Sequence, residues 1–203
     1  MTPARDRLLG ITLGFLVMFL VFHQVRPERT VDTMRRLLAR LLGASAELIR
    51  LFGLEPEMAA GARIAEIRKQ MAGLVVNLPN FAHAVKFEFP PDRAADMRLS
   101  NEILKAATTA GDLLFCVRTW PRKAERDQET EGLRELRISI ENGLRGLAGL
   151  LEGGPKRHGK AQRELDAGSA EQLRNEAPAS VAKTIDNFLE LQMACDAIAN
   201  STE

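Results

Sequence analysis

The chain has 203 residues, with 28 Lys and Arg against 27 Asp and Glu, three His, two Cys, nine Phe, one Trp and no Tyr. Strands draw on β-branched and aromatic residues, whereas this chain is built from Ala, Leu, Arg, Glu and Met, so all-β and doubly wound architectures are excluded and an all-α fold is expected. Cys116 and Cys195 are too few for a disulfide scaffold or a four-ligand zinc site, and the balanced charge argues against a nucleic-acid partner.

The first element is LLGITLGFLVMFLVF, Leu8 to Phe22, 15 residues without a charge or an amide, or 18 with His23, Gln24 and Val25 as an interfacial end. A membrane helix wants about 20 apolar residues, with about 17 tolerated when flanking side chains snorkel. Arg5 and Arg7 before the run, and Arg26 and Arg29 after it, suit that role. HQVRPERT supplies no small-x-small cleavage site, which argues against a secretory signal, and the run has no polar face, which argues against a soluble core helix. A re-entrant or interfacial segment is the remaining competitor. Residues 1–26 are therefore expected to form a transmembrane helix with short flanks, and 27–203 a cytoplasmic bundle of amphipathic helices. Gly10 and Gly14 form a G-x-x-x-G pair which, with Thr12 between them, suggests packing on other membrane helices; glycine is also simply common in such helices. Arg26, Arg29, Arg35, Arg36 and Arg40 follow the run and outnumber the arginines before it, so the positive-inside rule places the C-terminal side in the cytoplasm.

The balanced total conceals an asymmetry. Residues 1–86 hold 12 Lys and Arg against 7 Asp and Glu, net +5, and residues 87–203 hold 16 against 20, net −4. A basic, membrane-proximal part is expected to meet anionic lipid, since each nearby basic residue adds about 1 kcal/mol at an acidic leaflet. Nucleic acid fits less well, because the basic residues have no interleaved aromatics.

After Pro27, Thr30 is expected to cap a helix whose apolar positions run from Val31 and Met34 to Ile49 and Phe52, closed by Gly53. Pro56 and its flanking glutamates open a second helix through Ile64, Ile67, Met71, Leu74 and Val75, which Asn77-Leu-Pro79 is expected to interrupt. Phe81 to Phe89 is then a short helix or an extended piece ended by Pro90-Pro91. Asp92 caps a third, with Met97, Ile103, Leu104, Ala107, Leu113, Leu114 and Val117. The polar RKAERDQETEG precedes a fourth, from Leu133 to Leu151. KRHGKAQRELDAGSAEQLRNEA lies within a mobile loop, about 153–177, and the last helix carries Val181, Ile185, Phe188, Leu189, Cys195 and Ile198.

Enzyme motifs are absent: the sequence has no phosphate-binding glycine loop, no H-E-x-x-H, no G-x-S-x-G and no C-x-x-C. No catalytic, cofactor-binding or metal-ligating residue is expected, because His23, His83 and His158 are scattered and neither cysteine has a basic neighbour at helical spacing. His23 at the end of the run fits a snorkelling interfacial residue better than a proton relay.

Arg7-Leu-Leu-Gly-Ile-Thr-Leu-Gly14, then Val21-Phe22, Arg26-Pro27 and Met34-Arg35-Arg36-Leu37-Leu38-Ala39, resemble the final membrane helix and following cytoplasmic helix of the fusaric acid resistance (aromatic acid exporter) family. The resemblance covers about residues 5–52, and Phe87-Glu88 is loosely compatible with it. It implies a C-terminal fragment of a bacterial inner-membrane efflux transporter for drugs or aromatic acids. The expected partners are then the remaining transporter helices or further copies of the chain, with a periplasmic membrane-fusion protein and an outer-membrane channel. The alternative is a single-pass membrane-anchored scaffold whose bundle recruits a cytoplasmic partner.

Overall fold

A computed structural model describes residues 3–24, 29–53, 58–87, 93–118, 131–153 and 179–201. Among them six helices and no strand are found, so the all-α expectation holds: α1 (Pro3–Gln24), α2 (Thr30–Gly53), α3 (Met58–Val85), α4 (Arg93–Arg118), α5 (Glu131–Leu151) and α6 (Ala179–Asn200). Pro27, Pro56, Asp92 and the segment 154–177 lie outside the described residues.

Five of these helices form one bundle. The apolar stripe of α2 is covered on three sides, by α3, α4 and α5, while α4 packs on α2, α3 and α6, and α5 closes against α6. One continuous core runs through all five, including Met34, Leu38 and Leu42 of α2, Leu78 of α3, Ile103 and Leu113 of α4, Ile140 and Leu144 of α5, and Ile185 and Leu191 of α6. A satellite cluster of Leu48, Leu51 and Ile67 seals the α2–α3 seam, and the Arg68 guanidinium lies 5.8 Å from the centre of the Phe52 ring.

The packing of α5 on α6 sets a tight steric limit. A Cβ at Gly143 would overlap the far end of the Phe188 ring, which is itself buried, whereas a Cβ at Gly146 meets open space. Gly146→Ala is therefore expected to stabilise by about 0.5–1 kcal/mol through backbone entropy. Gly143→Ala is expected to lose more than that gain, since overpacking costs about 1–3 kcal/mol. Opposite shifts of the two melting temperatures check this.

Three expectations are corrected. Helix α3 is not interrupted at Asn77-Leu-Pro79 but continues to Val85, followed by a turn at Lys86 and Phe87. The reason is phase: Ile67, Met71, Leu74, Leu78, Phe81 and Val85 stay within an arc of about 80° on one helix, and Leu78 and Val85 on either side of the proline are fully buried. Keeping that stripe in register outweighs the one hydrogen bond that Pro79 removes. Second, Val75 and Met97 are exposed rather than core residues, since both fall off the buried stripes of their helices. Third, Thr30 is the first residue of α2 rather than the position before it: the Arg29 carbonyl accepts the first helical bonds, from the backbone N–H groups of Asp32 at 2.9 Å and Thr33 at 3.3 Å.

Helix α1 stands apart. It packs against none of the other described helices, and its side chains from Leu8 to Leu20 are exposed on every face, with Phe15 at 71% and even Leu20 at 48%. Among the described residues no helix is long and apolar enough to cross a membrane. The full run Leu8–Phe22 spans about 22 Å as a helix, against roughly 30 Å of hydrocarbon.

Candidate functional site

The ends of the bundle are ordered by three contacts. Glu47 near the end of α2 takes a paired hydrogen bond from Arg63 in α3, at 2.9 and 3.3 Å, so these two helices run antiparallel. Arg29, just before α2, meets Asp96 in the first turn of α4 at 2.6 Å. Arg35 donates to the carbonyl of Leu151, the last residue of α5, at 3.4 Å. The start of α2, the start of α4, the end of α3 and the end of α5 therefore share one end of the bundle, and it is the end from which residues 25–28 lead back to α1.

The five arginines expected to form a basic collar have separate duties there. Arg26 lies outside the described residues. Arg29 is half of a pair with Asp96, whose side chain is only 4% exposed against 53% for the arginine. The carboxylate Oδ2 is buried and has no hydrogen-bond partner among the described residues. Arg35 is half-buried and turned toward the C-terminus of α5, where a cation complements the helix dipole. Arg36 donates from Nε to the Asp32 carbonyl of its own helix at 3.4 Å, and Arg40 is exposed. Two of the five thus act as clamps between helix ends.

Removing the Arg29 cation leaves the buried Asp96 carboxylate without its partner, which costs about 1.5–3 kcal/mol for a charged hydrogen bond. Arg29→Met is expected to destabilise the bundle more than the double variant Arg29→Met/Asp96→Asn, in which the stranded charge is gone too. Denaturant midpoints of wild type, both singles and the double measure that coupling; equal midpoints for the single and double variants would refute it.

The expected packing face of α1 divides. Gly10 and Gly14 lie on one side with open space above them, but Thr12 sits about 180° round the helix from the middle of that pair. Its hydroxyl donates to the Leu8 carbonyl at 2.8 Å, within α1. The glycines alone form the small-residue face.

The remaining candidates do not converge. His83 is exposed and its ring centre is 5.3 Å from that of Phe87; the side chain of His23 and all of His158 lie outside the described residues. No group of three or more His, Cys, Asp and Glu able to hold a metal occurs among the described residues. Cys116 and Cys195 are buried, and Cys116 Sγ accepts a long contact of 3.8 Å from the Asn187 amide. Burial first, and the neighbouring Asp196 second, push the Cys195 thiol up to about 12 from an ordinary 9.0. The folded chain then keeps this proton where the unfolded chain has lost it, so stability falls as pH rises from about 9 toward 12. A thiol reagent at pH 8 is expected to leave Cys195 unmodified until denaturant is added; rapid labelling of native protein would contradict this.

Asp96, absent from the expected site residues, does carry a signal in the sequence. It stands seven residues before Ile103 and fourteen before Ala110, so it continues the buried stripe of α4, and it is indeed 3% exposed. A carboxylate in phase with a core stripe announces a partner, here Arg29.

What the fold and this end define is a class: a five-helix bundle carrying, on its N-terminal side, an apolar helix that the bundle leaves uncovered. The chain matches no protein family, no curated protein and no solved structure.

Proposed function

We propose that this chain is a membrane-attached helical subunit, with α1 seated in a bilayer and α2–α6 forming an assembly domain on the cytoplasmic face. The observation that carries this reading is the exposure of the α1 apolar side chains all around the helix, with no other described helix against them. Nine exposed Leu, Ile, Val and Phe side chains in one stretch of 13 residues are unfavourable in water. Hydrocarbon covers them without requiring a polar face. The short run suits a helix that inserts beside others, through the open Gly10 and Gly14 face, and that lets arginines at its ends reach the headgroups.

The specific assembly is the efflux transporter of the bacterial inner membrane to which residues 5–52 point by resemblance, this chain supplying a terminal membrane helix and a cytoplasmic bundle. The broader reading, a membrane-anchored scaffold for a cytoplasmic partner, shares the same attachment and differs in the partners. Alkaline carbonate extraction of membranes tests the attachment: the chain is expected in the pellet, and release into the wash would overturn it. Purification in mild detergent then separates the two assemblies. Co-purification with a polytopic membrane protein supports the transporter, and recovery with soluble partners alone overturns it.

A further inference from the structure

Two helices of the bundle each present a pair of like charges one turn apart, and the two pairs have opposite sign. In α2 the exposed positions among the described side chains are Arg36, Arg40 and Arg50. With Gly43 and Glu47 they form one stripe, within an arc of about 80°, on the side that α3, α4 and α5 leave open. Arg36 and Arg40 stand four residues apart, where like charges repel, and Arg40 has no acidic residue three or four positions away. The charges beside them are matched within the chain: Arg63 of α3 pairs with Glu47 at 2.9 Å and Arg145 of α5 with Glu141 at 2.7 Å.

In α6, Asp186 and Glu190 repeat the arrangement with the sign reversed. They share an outer face with Lys183, Met193 and Ala197, again within about 80°, and Met193 is 66% exposed. Lys183 is the one base among the described residues of α6. Lys105 of α4 pairs with Glu190 at 3.1 Å, and both side chains stay largely exposed.

Direction and height bring the two faces into register. Lys105 meets Glu190 and Cys116 meets Asn187, so α6 runs antiparallel to α4. The Arg29–Asp96 contact sets the start of α4 beside the start of α2. The α6 helix of one copy is therefore antiparallel to α2 of a second copy standing the same way on the same bilayer. Counted along the helices from these contacts, Glu190 lies at the height of about residue 42 of α2 and Lys183 at about residue 49. A neighbour at equal height thus carries Glu190 to Arg40 and Lys183 to Glu47, each to within about 3 Å along the axis. The signs agree: Arg36, Arg40 and Glu47 run plus, plus, minus, while Glu190, Asp186 and Lys183 run minus, minus, plus. Parallel docking would set Arg36 against Lys183 and bring Glu47 near Glu190. Gly43, with open space above it, lets a helix approach between Arg40 and Glu47.

We propose that copies of this chain associate head to tail, the α6 face of one on the α2 stripe of the next. Arg40 then meets Glu190 and Asp186, Arg36 reinforces it one turn away, and Glu47 meets Lys183. The two faces lie on helices that share no contact within the bundle, so the interface is heterologous and each copy keeps one face of each kind open to a further copy. The inference rests on the membrane attachment of α1 for the common direction of the copies, and it names the surfaces and the partner that the assembly domain uses.

The test reconstitutes donor- and acceptor-labelled full chain into phosphatidylcholine vesicles and reads energy transfer between copies. Wild type is expected to associate, and Arg36→Glu/Arg40→Glu or Asp186→Lys/Glu190→Lys alone to weaken association about tenfold or more, since like charges then face each other. Mixing the two variants is expected to restore it, because every junction in the mixture is again complementary. A second reading needs no charge change: Arg40→Cys with Glu190→Cys in one chain is expected to give a ladder of disulfide-linked copies on oxidation. Wild type that stays monomeric in protein resisting carbonate extraction overturns the head-to-tail contact and leaves the α1 attachment intact, whereas release by carbonate overturns the attachment. Association of either reversed variant equal to wild type, or no recovery in the mixture of variants with unchanged circular dichroism, overturns the pairing of these two faces.

Discussion

Leu13→Arg/Val17→Arg is expected to release the chain from membranes into alkaline carbonate, where the wild type stays in the pellet. Both positions lie near the middle of the apolar run and more than half of each side chain is exposed, so neither substitution disturbs the packing of the bundle. The magnitudes decide the outcome. Nine Leu, Ile, Val and Phe residues between Leu8 and Leu20 favour insertion by about 3–5 kcal/mol in total, at roughly 0.3–0.6 each. Two arginines at the centre oppose it by about 5–7 kcal/mol and also remove two of the favourable residues. The balance therefore changes sign, which a single arginine near either end would not achieve, because its long side chain could snorkel. Leu13→Ala/Val17→Ala is the control: it keeps the run uncharged and is expected to remain in the pellet. Retention of the arginine variant equal to that of wild type would mean that α1 is not what holds the chain to the bilayer. An unchanged melting temperature of the bundle in the same variant would show that the loss is one of attachment, since α1 packs against none of the other described helices.

Where an apolar stripe is broad and unbroken, its helix is readable from spacing alone. In α2, Val31, Met34, Leu38, Leu41, Leu42 and Ile49 recur at three and four and all are buried, and in α5 Leu136, Ile140, Leu144, Leu147 and Leu151 do the same. Proline misleads in α3, because its local cost is visible at one residue while the stripe that overrides it spans Ile67 to Val85. Small residues are a second difficulty. Ala39 and Ala46 of α2 are as buried as its leucines, yet alanine carries little hydropathic contrast, so spacing understates the width of the buried face. The arginines show a different limit. Spacing places Arg29, Arg35, Arg36 and Arg40 after the apolar run, but whether a guanidinium faces solvent or a helix end depends on which elements converge there. That convergence involves residues 67 and 116 positions away in sequence, Asp96 and Leu151.

Leu144→Ala is expected to lower the stability of the whole bundle, in one transition, by about 2–5 kcal/mol. Leu144 is fully buried in α5, and its truncation opens a cavity whose cost depends on how far the neighbours can close in. They are poorly placed to do so. The next residue along the helix toward its start, Gly143, already abuts the buried ring of Phe188 from α6, and α5 also packs along α2. These two contacts resist movement of α5 into the void, so most of it should persist and the loss should fall in the upper part of that range. The effect cannot stay local to α5, because its core residues belong to one cluster with those of α2, α3, α4 and α6. A bundle of this size shifts by roughly 2–4 °C per kcal/mol, so the melting temperature is expected to fall by roughly 4–20 °C. Circular dichroism at a helical wavelength and the exposure of Cys195, which lies in α6, should report the same midpoint if the five helices unfold together. A thiol that becomes reactive well after the loss of helix signal would instead divide the domain into α5 with α2 on one side and α4 with α6 on the other, and would contradict a single continuous core.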